Sequence, residues 1–207
     1  MSKLFFYDLE TTGTNPGRHG IHQISGEIEI DGKTVETFDF KVQPNPKAQI
    51  EDAALEVGEV TREQIMAYPP MGQVYTQLVA MLSKYVNKFD KTDKFHLVGY
   101  NNRGFDDNFL RGFFLQNGDN YFGSWFWADS IDVLVLASTF LADRRAELKN
   151  FKLATVADFL GIVPDVVKMD DGSEFRRYSF AKIALDIADE LLAEAVGRAI
   201  NEYERNE

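Results

Sequence analysis

The chain has no cysteine among its 207 residues. That excludes disulfides, thiolate metal sites and a cysteine nucleophile. It also fits a reducing, cytoplasmic setting. Positive charge is scarce: 22 Lys and Arg stand against 33 Asp and Glu, a formal net charge of −11. A passive nucleic-acid binder replaces phosphate counterions with excess positive charge, so this balance argues against that class. No run approaches the roughly 18 consecutive apolar residues of a membrane span, and no membrane partner is expected. The apolar run near the start stops at Asp8, which does not match a signal peptide. No internal repeat or low-complexity tract is visible.

Aromatic residues are plentiful, with 17 Phe, 8 Tyr and 2 Trp, which excludes intrinsic disorder. The length suits one well-cored domain spanning residues 1–207. Lys3 to Tyr7 has the apolar density of a buried strand. Ile21 to Ile30 forms a second strand, Asp31-Gly32 a hairpin turn, and Thr34 to Val42 a third strand ended by Pro44 and Pro46. Thr61 and Gln64 have capping-box spacing, and Pro69-Pro70 breaks that helix. Val74, Leu78, Leu82 and Val86 recur at helical spacing. Phe95 to Gly99 reads as a strand, Asp106 to Leu115 as helix, Ser124 to Ala128 as a strand, and Ile131 to Leu141 and Phe151 to Leu160 as helices. Val163 to Arg176 reads as a mobile loop, and a long helix is expected from Arg177 onward. Three hairpin-connected strands followed by alternating strands and helices define a mixed α/β sheet flanked by helices.

Two clusters carry chemistry. Asp8 and Glu10 lie two apart where the first strand leaves the core, so both carboxylates point to one side. Their repulsion is relieved by a divalent cation, and hard oxygen ligands suit Mg²⁺ or Mn²⁺. Asp106 stands at a helix start, where backbone amides favour an ionised carboxylate.

Taken together, Asp8-Leu9-Glu10-Thr11-Thr12-Gly13 and the set Asn101, Phe105, Asp106, Phe109 and Leu110 resemble two motifs of the DEDD superfamily of 3′→5′ exonucleases. Ile21 to Ile24, Phe38 to Pro44, Val60 to Glu63 and Asn150 to Ile162 resemble that family's intervening segments. The resemblance implies an RNase H-like fold and hydrolysis of terminal phosphodiester bonds of DNA or RNA. It implies two Mg²⁺ or Mn²⁺ ions held by Asp8, Glu10, Asp106 and a fourth acid. Its partners would be a nucleic-acid 3′ end and the nucleoside monophosphate product, with a polymerase or another protein as a candidate associate. Leu9, Thr11, Thr12, Asn101 and Phe105 would contact the terminal nucleotide.

Ile183, Ile187 and Leu191 define an apolar stripe beside which Asp186 falls, with Asp189 opposite and Glu190 as runner-up, so the fourth acid is assigned to Asp186. The family places a His five residues before that Asp, or a Tyr four before, as general base. Here those positions hold Ala181 and Lys182, and Tyr178 is eight residues away. The general base is therefore unidentified. An impaired exonuclease-fold module that binds nucleic acid or a protein stays open beside the enzyme, and a phosphatase with Asp8 as nucleophile stands as a third reading. Arg18, His19, the cluster Arg144, Arg145, Lys149 and Lys152, and the pair Arg176 and Arg177 are candidate phosphate contacts, each against a solvated or capping role. Trp125, Phe126 and Trp127 are expected in the core.

Overall fold

A computed structural model describes residues 2–162, the backbone of 165–168 and 174–177, and Ala193. The chain divides into two compact units, residues 1–131 and 132–207. The first begins with β1 (Lys3–Thr11), β2 (Ile21–Ile30) and β3 (Lys33–Lys41). Three helices follow, α1 (Asp52–Val57), α2 (Arg62–Met66) and α3 (Met71–Leu82), then β4 (His96–Gly99) and α4 (Asp106–Gln116). A two-residue strand, β5 (Ile131–Asp132), completes a sheet of order β3-β2-β1-β4-β5. β1 pairs antiparallel with β2 and parallel with β4, and β2 pairs antiparallel with β3. This is the mixed α/β sheet of the RNase H-like fold.

β1 is central, so both of its faces must be apolar. Phe5, Phe6 and Tyr7 are all at most 2% exposed. The face carrying Phe5, Tyr7 and Leu9 joins Ile24, Ile28 and Phe38 from the neighbouring strands in one core. Val74, Leu78 and Leu82 of α3, and Phe109, Leu110, Phe113 and Phe114 of α4, complete it. Each fully buried side chain of this size contributes about 1.5–3 kcal/mol. The Phe5 ring stacks on Phe38 at 4.9 Å and meets the Phe126 edge at 5.4 Å. Aromatic pairs in these geometries add about 0.5–1.5 kcal/mol beyond burial.

Local signals in the sequence act as expected. Asp31 and Gly32 both take positive φ, 49° and 77°, which the tight β2–β3 turn requires. Thr61 Oγ1 accepts from the Gln64 amide at 3.2 Å, and Gln64 Oε1 accepts from the Thr61 amide at 2.7 Å, a reciprocal cap on α2. Three expectations are corrected. Ser124 to Ala128 is not a strand: a 3₁₀ turn covers Phe122–Ser124, and Phe126 alone bridges to Phe95. The amides of Phe95 and Trp127 close that bridge at 2.9 Å each, and the chain turns away after Trp127. Ile131 and Asp132 are strand before the helix α5 (Val133–Phe140) begins.

Third, residues read as a loop pair as an antiparallel hairpin of β6 (Asp165–Lys168) and β7 (Glu174–Arg177). Val166, Val167 and Phe175 are strong strand formers, and their preference outweighs the polar composition. Arg177 is thus the end of a strand rather than the start of a helix, while Ala193 is helical. The second unit also holds a 3₁₀ segment, Ala142–Glu147, and α6 (Leu153–Phe159). Among the described residues, no helix is long and apolar enough to cross a membrane.

Gly26 faces Tyr7 across β1–β2 and Phe38 across β2–β3. A Cβ there would overlap the Phe6 carbonyl and stand 2.8 Å from the Phe38 ring. Gly26→Ala is expected to destabilise the protein by about 3 kcal/mol, the upper end of overpacking costs. Gly123, with open space around its Cβ position, is the control. The measurement is the urea midpoint of Gly26→Ala and Gly123→Ala against the unsubstituted chain, with a shift expected only in the first.

Candidate active site

β1 outruns its parallel neighbour β4: their register ends at Phe6↔Val98, and β1 continues to Thr11. Parallel strands open a crevice at their carboxyl ends. Asp8 and Glu10 occupy that end, on the face opposite Leu9, which is buried in the core. Beyond β4 the chain reverses within a few residues. Gly99 permits this, because a Cβ there would stand 2.8 Å from the Asn102 side chain. Asn101 takes a left-handed φ of 62°, a 3₁₀ turn covers Asn102–Gly104, and α4 starts at Asp106. The result brings Asp106 beside β1, where its Oδ1 accepts from the Leu9 amide at 3.2 Å.

Burial and mutual repulsion set the protonation of these acids. Burial, then the Glu10 charge, pushes Asp8 up to about 7 against the opposing effect of the Leu9 amide. Burial, then the Asp8 charge, pushes Asp106 up to about 8. Glu10 is also raised by burial, with Lys41 pulling the other way. Burial and mutual repulsion therefore favour the protonated forms of these two carboxyls near neutrality. That chemistry, all hard oxygen donors, suits a divalent ion. Among the described residues, no group of three or more His, Asp or Glu side chains is placed to hold a metal ion. Asp186, Glu190 and Ala181 lie outside the described residues.

Asp107 was not singled out in the sequence, yet it ties the site together. Its Oδ1 accepts from the Tyr7 hydroxyl at 2.5 Å and from Asn102 Nδ2 at 3.1 Å, and its Oδ2 accepts from the Ser130 hydroxyl at 2.6 Å. Asn102 and Ser130 are both buried. Burial, followed by the Asp107 charge and hydrogen bond, holds the Tyr7 phenol well above its ordinary range, so it stays a donor. The only sequence signal was a tyrosine inside an apolar strand, which needs a buried partner for its hydroxyl.

His22 was also missed. The β1–β2 register slips between Glu10↔Gln23 and Thr11↔Ile21, which leaves His22 as the extra residue of a bulge. It is 1% exposed, and neither ring nitrogen has a hydrogen-bond partner among the described residues. Burial, then Lys41, lowers it to about 4, so the ring is neutral. A Cβ at Gly58 would stand 3.5 Å from Glu10 Oε2 and 3.5 Å from His22 Nε2, so both side chains border Gly58.

The Thr-Thr-Gly turn is held from within. Thr11 Oγ1 donates to the Gly13 carbonyl at 2.8 Å, and Thr12 Oγ1 donates to the Gln49 carbonyl at 2.6 Å. His19 is neither solvated nor turned outward. It is 5% exposed, its Nδ1 accepts from the Asn15 amide at 2.8 Å, and its Nε2 lies 3.1 Å from Glu51 Oε1. Gly13 lies against this ring, since a Cβ there would stand 2.6 Å from it. Asn101 is exposed, and the half-buried Phe105 ring packs on Phe109 at 4.9 Å. In the second unit, Arg144 pairs with Glu147 at 3.2 Å and lies over Phe159, and Arg145 lies over Phe151. Those arginines are committed to local packing. Trp125 and Phe126 are buried, and Trp127 is half-buried.

A carboxylate pair at the end of a central strand, faced by an acid at a helix start, sits on this fold in a recognisable group of proteins. The family model described as exonuclease, RNase_T, matches residues 5–161. The chain belongs to that family, within the DEDD superfamily. A DNA polymerase III of the PolC type from Mycoplasmopsis pulmonis is 24% identical over 159 residues, 77% of this chain and 10% of that protein. Among solved structures, E. coli exonuclease I in complex with a dT13 oligonucleotide superposes with a TM-score of 0.66 at 18% identity, covering 98% of this chain and 43% of that one. An exonuclease I–SSB-Ct complex gives a TM-score of 0.64 at 19% identity over 90% of this chain and 40% of the other. The chain thus spans less than half the length of these relatives.

The raised acids make stability depend on pH with a definite sign. Asp106 binds its proton more tightly folded, at about 8, than at its ordinary 3.8. Folding therefore loses stability as pH rises from about 4 to 8, and each unit of difference corresponds to about 1.4 kcal/mol. Asp106→Asn keeps an acceptor for Leu9 and removes the charge. Without divalent ions, its stability relative to the unsubstituted chain should climb by on the order of 2 kcal/mol or more between pH 5 and pH 8. Urea titrations at both values test this; a pH-independent difference would refute it.

Proposed function

We propose that this chain is a metal-dependent 3′→5′ exonuclease acting on DNA or RNA. The observation that carries the reading is the meeting of the half-buried Asp8 and the buried Asp106, both with raised proton affinity, where β1 ends and α4 begins. Asp8, Glu10 and Asp106, with Asp186 as the fourth acid, are the residues that would hold two Mg²⁺ or Mn²⁺ ions. Bound there, such ions would activate the attacking water and stabilise charge on the departing 3′ oxygen. Leu9 fixes Asp106 through its amide. Thr11 and Thr12 keep the following turn rigid, and the exposed Asn101 and the edge of Phe105 are the surfaces a terminal nucleotide would meet.

The substrate class is supported by the oligonucleotide-bound exonuclease I among the relatives, and association with a polymerase or another protein by the PolC-type match and the SSB-Ct complex. The second reading, a binding module with impaired catalysis, is favoured by one observation: Ala181 stands where a general base belongs. A general base typically supplies about 10²–10⁴-fold, so its loss slows turnover without removing the metal site.

A 5′-labelled single-stranded oligonucleotide with Mn²⁺ tests the reading. The unsubstituted chain is expected to give a one-nucleotide ladder, Asp8→Asn none, and Ala181→His faster cleavage by about 10²-fold. Wild-type-like cleavage by Asp8→Asn would refute the assignment. Silence in all three would favour the binding module.

Metal binding should also displace protons from Asp8 and Asp106. Adding Mn²⁺ to weakly buffered protein at pH 6 is expected to acidify the solution, and to do so less for Asp106→Asn.

A further inference from the structure

A second feature lies at the other end of β1. Lys3 Nζ donates to the Tyr85 carbonyl and pairs with Asp93, which fixes the start of β1 against the segment after α3. A strand rises about 3.3 Å per residue, so this end is on the order of 20 Å from Asp8 and Glu10. Here residues 83–89 and Trp125 line an open cleft of about 490 Å³. Phe89 projects from it 85% exposed. The Lys88 ammonium lies 5.4 Å from the Phe89 ring and 5.7 Å from the Trp125 ring. Trp125 is 98% buried, since only 2% of it is exposed, and its Nε1 has no hydrogen-bond partner among the described residues. The Phe95 backbone holds Trp125 and Trp127 on either side of it, and Lys94 covers the Trp127 ring at 4.9 Å.

Charge at this edge runs against the rest of the chain. Residues 84–94 hold four lysines and two aspartates in a protein of net charge −11. Lys84 is taken by Glu36 and Asp93 by Lys3. Among the described residues, Lys88, Lys91 and Lys94 form no ion pair. An exposed ring beside unpaired ammonium groups is the arrangement that binds single-stranded nucleic acid, the base stacking and the phosphates meeting the lysines.

We propose that this cleft is a second contact site for single-stranded nucleic acid, holding the strand upstream of a 3′ end engaged at the carboxylates. It rests on the proposed exonuclease reading for the engaged end. A base stacks on Phe89, and phosphates meet Lys88, Lys91 and Lys94. The site adds affinity only for strands long enough to span both ends of β1.

The test measures anisotropy of short and long 5′-labelled oligothymidylates with the whole chain in EDTA. Cleavage of the short oligomer in Mn²⁺ is followed in parallel. Phe89→Ala and Lys88→Ala are expected to bind the long oligomer about tenfold more weakly, with short-oligomer binding and cleavage unchanged. Lys88→Ala should also flatten the salt dependence by about 0.7. In Trp127→Phe, which leaves Trp125 as the sole indole, the long oligomer should quench fluorescence and the short one should not. Long-oligomer binding equal to the unsubstituted chain in both variants would overturn the site. So would capture of an acidic peptide in a Lys88-dependent manner while oligothymidylate is indifferent, which would assign the cleft to a protein partner. If the unsubstituted chain neither binds nor cleaves any oligomer, the exonuclease reading itself falls, and the site with it.

Discussion

Two carboxylates withdrawn from water near each other repel, and the end of β1 is organised around keeping the half-buried Asp8 and the buried Asp106 there. Asp8 and Asp106 come from segments about a hundred residues apart. The Leu9 amide gives Asp106 one hydrogen bond, but burial outweighs it, so both acids stay above the ordinary carboxylate range. The core under Leu9 resists relaxation, because Phe5, Tyr7 and Leu9 are locked into one apolar cluster with α3 and α4. The unfavourable electrostatics are thus stored against packing worth many times more.

Adjacent acids divide the labour. Burial and the Asp8 charge favour the protonated form of Asp106, while Asp107 gathers three donors from β1, the turn after β4 and the approach to β5. Each of those bonds fixes a segment that flanks Asp106. Charge-assisted hydrogen bonds are the stronger kind, and this set explains how a short 3₁₀ turn with a left-handed residue places a helix start so definitely. His22 adds a further constraint on the same end, since the bulge that buries it also turns the last residues of β1 relative to β2.

Much of the fold was legible because it is written in short-range chemistry. The apolar run at Phe5 to Tyr7, the Asp31-Gly32 turn, the Thr61 and Gln64 cap and the stripe Val74, Leu78 and Leu82 each determine a local outcome. Asp8, Glu10 and Asp106 were picked out by pattern, and the structure brings Asp8 and Asp106 together. Asp107 and His22 were not legible, because their importance comes from partners that are distant in sequence or from a register slip that no local pattern announces. The hairpin of β6 and β7 was hidden by a polar Asp-Asp-Gly-Ser stretch, and His19 by a loop that folds over its own histidine.

Gly26 has a consequence for how β2 finds its place. Alternating side chains leave a strand free, in principle, to slide by two residues and keep the same face inward. Here such a slide would set Ile24 or Ile28 against the Phe6 carbonyl, where even a methyl group does not fit. A single missing side chain therefore works as a key that only one alignment of β1 and β2 admits. Since that alignment also pairs Glu10 with Gln23 and leaves His22 as the bulged residue, the absence of an atom in the middle of the sheet decides how the residues at its end are placed.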